Sequence, residues 1–295
     1  MPLLDKLREQ YGVGPLCSEL HIAPSTYYHC QQQRHHPDKR SARAQRDDWL
    51  KKEIQRVYDE NHKVYGVRKV WRQLLREGIR VARCTVARLM AVMGLAGVLR
   101  GKKVRTTISR KAVVAGDRVN RQFVAERPDQ LWVADSTYVS TWQGVVYVAF
   151  IIDVFAGYIV GWRVSSSMET TFVLDALEQA LWARRPSGTV HHSDKGSQYV
   201  SLAYTQRLKE AGLLASTGST GDSYDNAMAE SINGLYKAEV IHRKSWKNRA
   251  EVELATLTWV DWYNNRRLLG RLGHTPPAEA EKAYYASIGN DDLAA

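Results

Sequence analysis

The stretch VHHSDKGSQY, residues 190–199, puts a carboxylate, Asp194, at the end of a short apolar run, with only Lys195 beside it to neutralise it. A second carboxylate, Asp135, lies inside LWVADSTYV (131–139), a run of β-branched and aromatic residues. If that run is a strand, Trp132, Ala134, Ser136 and Tyr138 share one face and Val133, Asp135 and Thr137 the other. A carboxylate in the middle of a central strand is costly unless it is paired or bound to a metal. The third acid is Glu230, in GDSYDNAMAESINGLYKAEV (221–240). On a helix, at ~100° per residue, Asn226, Asn233 and Lys237 fall near Glu230, while Met228, Ile232 and Leu235 point the opposite way, toward a core.

Other chemistry-bearing residues read as structural. Asp153 lies in an apolar strand and is expected to be held by hydrogen bonds. Asp222 and Asp225 precede the Glu230 helix, where capping is the expected role. His191, His192 and Ser193 are neighbours on a strand and alternate sides, so they form no local Ser-His-Asp set with Asp194; His192 remains able to line a site. Cys17, His21, His29 and Cys30 fit no zinc-finger spacing. Trp246, Trp259 and Trp262 are expected in the core.

The elements that must hold the three acids follow from the pattern. Leu131–Val139, Gly144–Asp153 and Tyr158–Val164 read as strands joined by short turns, an antiparallel meander. Thr170–Arg184 reads as a helix, 189–192 as a strand, 202–211 as a helix, 213–216 as a strand, and 225–241 and 250–264 as helices. That order specifies an α/β layered fold with a mixed sheet. Further forward, GVGPLCSELHIAPSTYYHCQQQ (12–33) reads as one helix-turn-helix unit, with Ser25 placed to cap its second helix. YGVRKVWRQLLREGIRVARCTVARLM (65–90) reads as another, in which Val70, Leu74 and Leu75 mark one helix, Glu77-Gly78 ends it, and Val86, Leu89 and Met90 mark the next. The domain reading is 1–36 and 45–100 for the two helical segments, 101–124 for a basic linker, 125–285 for the α/β core with its C-terminal helices, and 286–295 for a tail.

Net charge is +11 over 295 residues, unevenly placed: residues 1–125 carry a net +15 and residues 126–295 a net −4. A basic front half implies a polyanionic partner, nucleic acid above all. Arg68, Lys69, Arg72, Arg83 and Arg88, with Lys102, Lys103 and Arg105 in the linker, are the expected DNA contacts, because Lys/Arg contacts to phosphate dominate such affinity. There is no apolar run of the length a membrane span needs, and the Met1–Gln10 segment lacks a signal-peptide apolar region. Three cysteines fit a reducing cytoplasm rather than a disulfide framework.

In order along the chain, LWVADSTYV, FIIDVFAGYIVGW, VHHSDKGSQY, DSYDNAMAESINGLYKAEV and YNNRRLLGRLGHTPPAEA resemble the integrase core of DDE transposases and retroviral integrases. More narrowly, the chain resembles the second-frame product of bacterial insertion sequences of the IS-three group, whose core is preceded by a helix-turn-helix region like residues 65–90. The likeness spans roughly residues 55–285. It implies a ribonuclease-H-like mixed sheet flanked by helices. It implies Asp135, Asp194 and Glu230 as ligands of two Mg²⁺ ions, Mn²⁺ being a substitute, which sit ~3.5–4 Å apart in such sites and serve in-line displacement at phosphorus. Thirty-five residues separate Asp194 from Glu230, the interval of that family.

The resemblance also implies 3′-end nicking followed by strand transfer, with Lys237 approaching the DNA end and Asn226 and Asn233 holding phosphate or orienting Glu230. It implies assembly into multimers on double-stranded DNA, and an upstream-frame product or frameshift fusion as partner. The family's bulky apolar residue after the first Asp is replaced by Ser136, which is expected to cost packing rather than chemistry. Two rival readings share these residues: a DNA-binding regulator with a decayed core, and a ribonuclease-H-like nuclease. Metal-dependent cleavage separates the first rival, and substrate preference the second.

Overall fold

The computed structural model describes residues 2–99, 124–194, 196–217 and 226–294. The contacts divide the chain into two units, Met1–Glu60 with Val70–Ala96, and Asn61–Lys69 with Gly97–Ala295. The linker contacts Lys102, Lys103 and Arg105, and the capping candidates Asp222 and Asp225, lie outside the described residues.

The first unit is helical. Helices α1 (Pro2–Tyr11), α2 (Val13–Glu19) and α3 (Pro24–His35) pack around Leu4, Cys17 and Tyr27. Ser25 does not cap α3. The cap position is Ala23, with no side-chain bond, and Pro24 opens the helix, where its missing N–H costs nothing. Helix α4 (Ala42–Glu60) buries Leu50, Ile54 and Val57, and α5 (Val67–Arg76) and α6 (Arg83–Val92) bury Val70, Leu74, Val86, Leu89 and Met90. Gly78, at φ +82°, ends the α5 turn, and the Trp71 indole donates to the Val81 carbonyl at 2.8 Å. The helix–turn–helix of α5 and α6 is thus set by the apolar spacing and the glycine stop read from the sequence.

The second unit is a five-stranded sheet of β1 (Leu131–Thr141), β2 (Gly144–Asp153), β3 (Tyr158–Ser165), β4 (Val190–Ser193) and β5 (Leu214–Thr217), in the order β3-β2-β1-β4-β5. The first three strands are an antiparallel meander, while β4 runs parallel to β1 and β5 parallel to β4. Helices α7 (Thr170–Arg184) and α8 (Leu202–Glu210) cover one face, where Trp132, Ala134, Ile151, Phe172, Leu177 and Tyr204 form a core. Gly161 lets α7 approach closely: a Cβ there would lie 2.2 Å from the Ala176 carbonyl oxygen. Helices α9 (Ala227–Glu239) and α10 (Arg249–Asn265) pack toward the other face, where Phe150 stacks edge-on against Tyr236 with ring centres 5.1 Å apart. Trp246, Trp259 and Trp262 are buried, as their sequence context predicted.

The chain after 285 continues as helix: α11 runs from Pro277 to Ala294, and near its start both oxygens of Glu281 accept from one nitrogen of Arg184 at 2.8 and 2.9 Å. One expectation gives way: α9 is rotated from the predicted orientation. Its buried stripe is Ala229, Ile232, Asn233 and Tyr236, with Met228 and Leu235 only partly covered. The helix lies along β1 and β2, so the polar Asn233 is drawn into the packed face.

Candidate active site

Strand β4 pairs with β1 only from Leu131↔Val190 to Ala134↔Ser193. The parallel pairing therefore stops one residue before Asp135, and β4 ends one residue before Asp194. The end of β4 thus sets Asp194 beside the point on β1 where Asp135 stands, just past the last β1–β4 pair, the kind of place where layered α/β folds hold ligands. Helix α9 supplies the third, Glu230, in its first turn.

The asparagines fasten α9 to this point. Asn226, just before the helix, donates to the Ala134 carbonyl at 2.7 Å, and Asn233 donates to Asp135 Oδ2 at 2.8 Å. Both are buried and bonded to β1. The oxygen of each amide remains buried with no donor. The other oxygen of Asp135 accepts from the Ser136 amide at 2.8 Å.

Asp135 pairs with Phe150 across β1–β2, beside the Tyr236–Trp259 aromatic cluster. Its carboxyl is partly accessible but closely surrounded by protein. Burial first, and then the Asp194 and Glu230 carboxylates, push its pKa up to about 7, against the downward pull of the Asn233 and Ser136 bonds. Asp194 and Glu230 thus both bear on Asp135 electrostatically. Among the described residues, no three His, Cys, Asp or Glu side chains stand close enough to ligate one ion as they are. The donor set still suits a hard cation: oxygen ligands only, like-charged, with acceptor atoms left over beside them for ion-bound water.

Asp194 is exposed, and its Oδ1 accepts from the Gly196 amide at 3.0 Å. A Cβ there would meet Asp194 Oδ1 at 3.0 Å, so glycine leaves room for the carboxylate to fold back on the backbone. Ser136 lies on the α7–α8 face, where the buried hydroxyl of Tyr199 is near it without completing a hydrogen bond. The position is polar rather than an empty packing site. His192 is fully buried, with Nδ1 3.0 Å from the Ser216 hydroxyl, and is part of the sheet interior rather than the site lining. Asp153 is held as expected, by the amides of Asp129 at 2.6 Å and Phe155 at 2.9 Å.

Lys237 lies two turns beyond Glu230, its ammonium 5.0 Å from the centre of the Tyr138 ring. Of the forward cations, Arg68, Arg72 and Arg83 are exposed. Arg88 is committed to Asp47, with one nitrogen 2.8 and 2.9 Å from its two oxygens. Lys69 is half-covered, 5.2 Å from the Tyr65 ring centre, and burial, then the Arg267 charge, push its pKa down to about 8. Sequence reasoning assigned Lys69 and Arg88 to DNA phosphate and read neither contact within the protein. It also missed the buried pair of Glu239 and Arg267, in which Arg267 Nε donates at 3.0 Å and the Trp259 indole at 3.1 Å to the same oxygen. An acid and an arginine 28 residues apart carry no sequence signal of pairing.

Family models agree with this architecture. An integrase core domain model matches residues 125–223, a second integrase core domain model residues 211–277, and an HTH-like domain model residues 45–103. The chain is 98% identical over 295 residues to the transposase for insertion sequence element IS629 of Shigella sonnei, covering all of both chains. It is 54% identical over 273 residues to a putative transposase for insertion sequence element IS986/IS6110 of Mycobacterium tuberculosis (strain ATCC 25177 / H37Ra), covering 90% of this chain and 96% of that one. A solved structure of the HTLV-2 integrase catalytic core domain in complex with magnesium aligns with 54% of this chain and 99% of its own, at 13% identity and a TM-score of 0.42, too loose a likeness to argue from. On its relatives, its matched domains and its own sheet order, the chain belongs to the integrase-core transposases of bacterial insertion sequences, the IS-three group of DDE polynucleotidyl transferases.

Proposed function

We propose that Asp135, Asp194 and Glu230 together hold two Mg²⁺ ions, or Mn²⁺ in their place, and that this site nicks the 3′ ends of the element and joins them to target DNA. The observation that carries the reading is the convergence of Asp135 on β1, Asp194 just past the end of β4 and Glu230 in the first turn of α9, a helix fastened to β1 by Asn226 and Asn233. Bound there, the ions supply charge to activate the attacking oxygen and to stabilise the leaving one. The protein's share is positioning. Asn233 and the Ser136 amide fix the two oxygens of Asp135, and Asn226 holds the start of α9 against β1.

In this reading, Lys237 meets the DNA strand at the site, and Arg68, Arg72 and Arg83 meet phosphates further out. Lys102, Lys103 and Arg105 are basic in sequence and are assigned to the same role. The partners are double-stranded DNA, further copies of the chain assembled on paired ends, and an upstream-frame product. That last assignment is supported by a probable transposase of insertion sequence element IS1353 from Shigella flexneri, 32% identical, of whose length this chain spans 54%. Among the described residues no helix is long and apolar enough to cross a membrane, and the cytoplasm, where bacterial DNA lies, is the proposed place of action.

The test is a nicking and strand-transfer assay on labelled element ends with Mg²⁺, comparing wild type with Asp194→Asn and run with and without the upstream-frame product. Cleavage and joining by the wild type alone supports the site. Equal DNA binding with no cleavage by either protein under both conditions favours the regulator reading.

A further inference from the structure

From Asp135 onward, one edge of β1 has no strand beside it, because β4 has ended. Along that part of β1 and the β1–β2 turn runs an open groove of about 380 Å³. Its lining includes Tyr138, Trp142 and Trp246 together with Lys237, His242 and Lys244. No acid lines it. Tyr138 is 62% exposed and Trp142 73%, whereas Trp246 is buried and forms a fixed wall. The Trp142 amide donates to the Trp246 carbonyl at 3.0 Å, so the turn is fastened to the segment after α9 and the groove is preformed. Lys244 sits 4.4 Å from the Trp246 ring centre and pairs with Glu251 at 2.5 Å on the surface, a contact that phosphate can displace.

Exposed aromatic faces interleaved with cations are the chemistry of unpaired nucleic acid: rings stack on bases of any sequence, and lysines follow the backbone. A groove of this volume takes an unstacked nucleotide rather than a duplex. It lies ~10 Å along β1 and α9 from the acids, since Tyr138 is three residues beyond Asp135, on the other face of the strand, and Lys237 is two turns beyond Glu230. We propose that this groove receives an unpaired nucleotide of the DNA strand next to the reacting phosphate, its base stacked on Trp142 and Tyr138 and its phosphates met by Lys237 and Lys244. The inference rests on the proposed active site, because it is that site which brings a strand end to this edge of the sheet.

The full chain is tested for binding to two duplexes carrying the terminal sequence of its element. One is fully paired; the other has three unpaired nucleotides at the end and 2-aminopurine among them. Trp142→Ala and Tyr138→Ala are expected to weaken binding of the frayed duplex by about tenfold or more and to abolish the fluorescence quenching of a stacked 2-aminopurine. Binding of the paired duplex is expected to stay unchanged, and Trp142→Phe is expected to restore the quenching. Both side chains are exposed, and unchanged thermal unfolding of the variants confirms that the fold is intact. Equal loss on both duplexes, or no loss on either, overturns the proposal. Asp135→Asn separates it from the active-site reading: that variant keeps the quenching and loses cleavage, and if it instead cleaves like wild type, the metal site fails while the stacking result stands.

Discussion

Asp135 and Asp153 are two carboxylates on the same meander, each held by two hydrogen bonds and each pushed up to about 7 chiefly by burial. They differ in their neighbours. Around Asp153, the acids Asp129 and Glu281 are met by Arg184, and Arg271 feels the Asp153 charge. That region is a closed network joining the β2–β3 turn, α7 and α11. Around Asp135, the main influences beyond its hydrogen bonds are two further acids, Asp194 and Glu230. A raised pKa alone therefore does not mark a functional carboxylate. What marks Asp135 is a set of like charges with no cation among the chief influences.

The sharpest break between the two regions is chemical. Glu230→Gln is expected to lower strand cleavage by roughly 10³–10⁶-fold, the range seen when a member of a concerted catalytic set is removed, with DNA binding retained in a mobility-shift assay. Asp153→Asn is expected to leave cleavage within about threefold of wild type at a temperature where it is folded. Next comes positioning. Asn233→Ala is expected to lower cleavage by about 10–100-fold, the cost of losing a group that orients a ligand, and raising the Mg²⁺ concentration should recover part of it.

Stability reverses the ranking. Asp153→Ala strands two buried amides and is expected to cost roughly 2–4 kcal/mol in urea unfolding, against a gain for Asp135→Asn in the absence of divalent ions. The sign follows from linkage. Both acids bind protons more tightly in the folded chain than in the unfolded one, so the stability they contribute is complete below about pH 4 and is lost as pH rises through about 7. Asn in place of either acid flattens its share of that slope, which pH-dependent unfolding curves will show. The smallest effect is expected from Arg83→Ala, which removes one phosphate contact and should reduce the salt slope of DNA binding by about 0.9.

The sequence was most legible where one periodicity decided the outcome. The α7 boundaries, Thr170 and Arg184, are those its apolar spacing predicts, and the meander strands fall where β-branched runs meet short turns. The β4 and β5 strands are each displaced by one residue, because four-residue strands carry too little pattern to fix their ends. Helix α11 has no counterpart among the elements read from the sequence, because its sequence is polar and weakly periodic, and a long-range ion pair at Glu281 helps hold it. Of the site, the three acids could be singled out from local context and the order of motifs. The clasp that Asn226 and Asn233 form on β1 could not, since their partners lie 92 and 98 residues away. Lys69 and Arg88 show the converse: basic residues on amphipathic helices whose charges are taken up within the protein.

One measurement separates the two carboxylates most directly: thermal unfolding at pH 8 of wild type, Asp135→Asn and Asp153→Asn during titration with MnCl₂. A cation bound only by the folded chain raises its stability by RT ln(1 + [L]/Kd). The account predicts a concentration-dependent rise in Tm for wild type and for Asp153→Asn, and a flat response for Asp135→Asn. An equal rise in all three would show that the ion binds elsewhere and would contradict the assignment of Asp135 to the metal site.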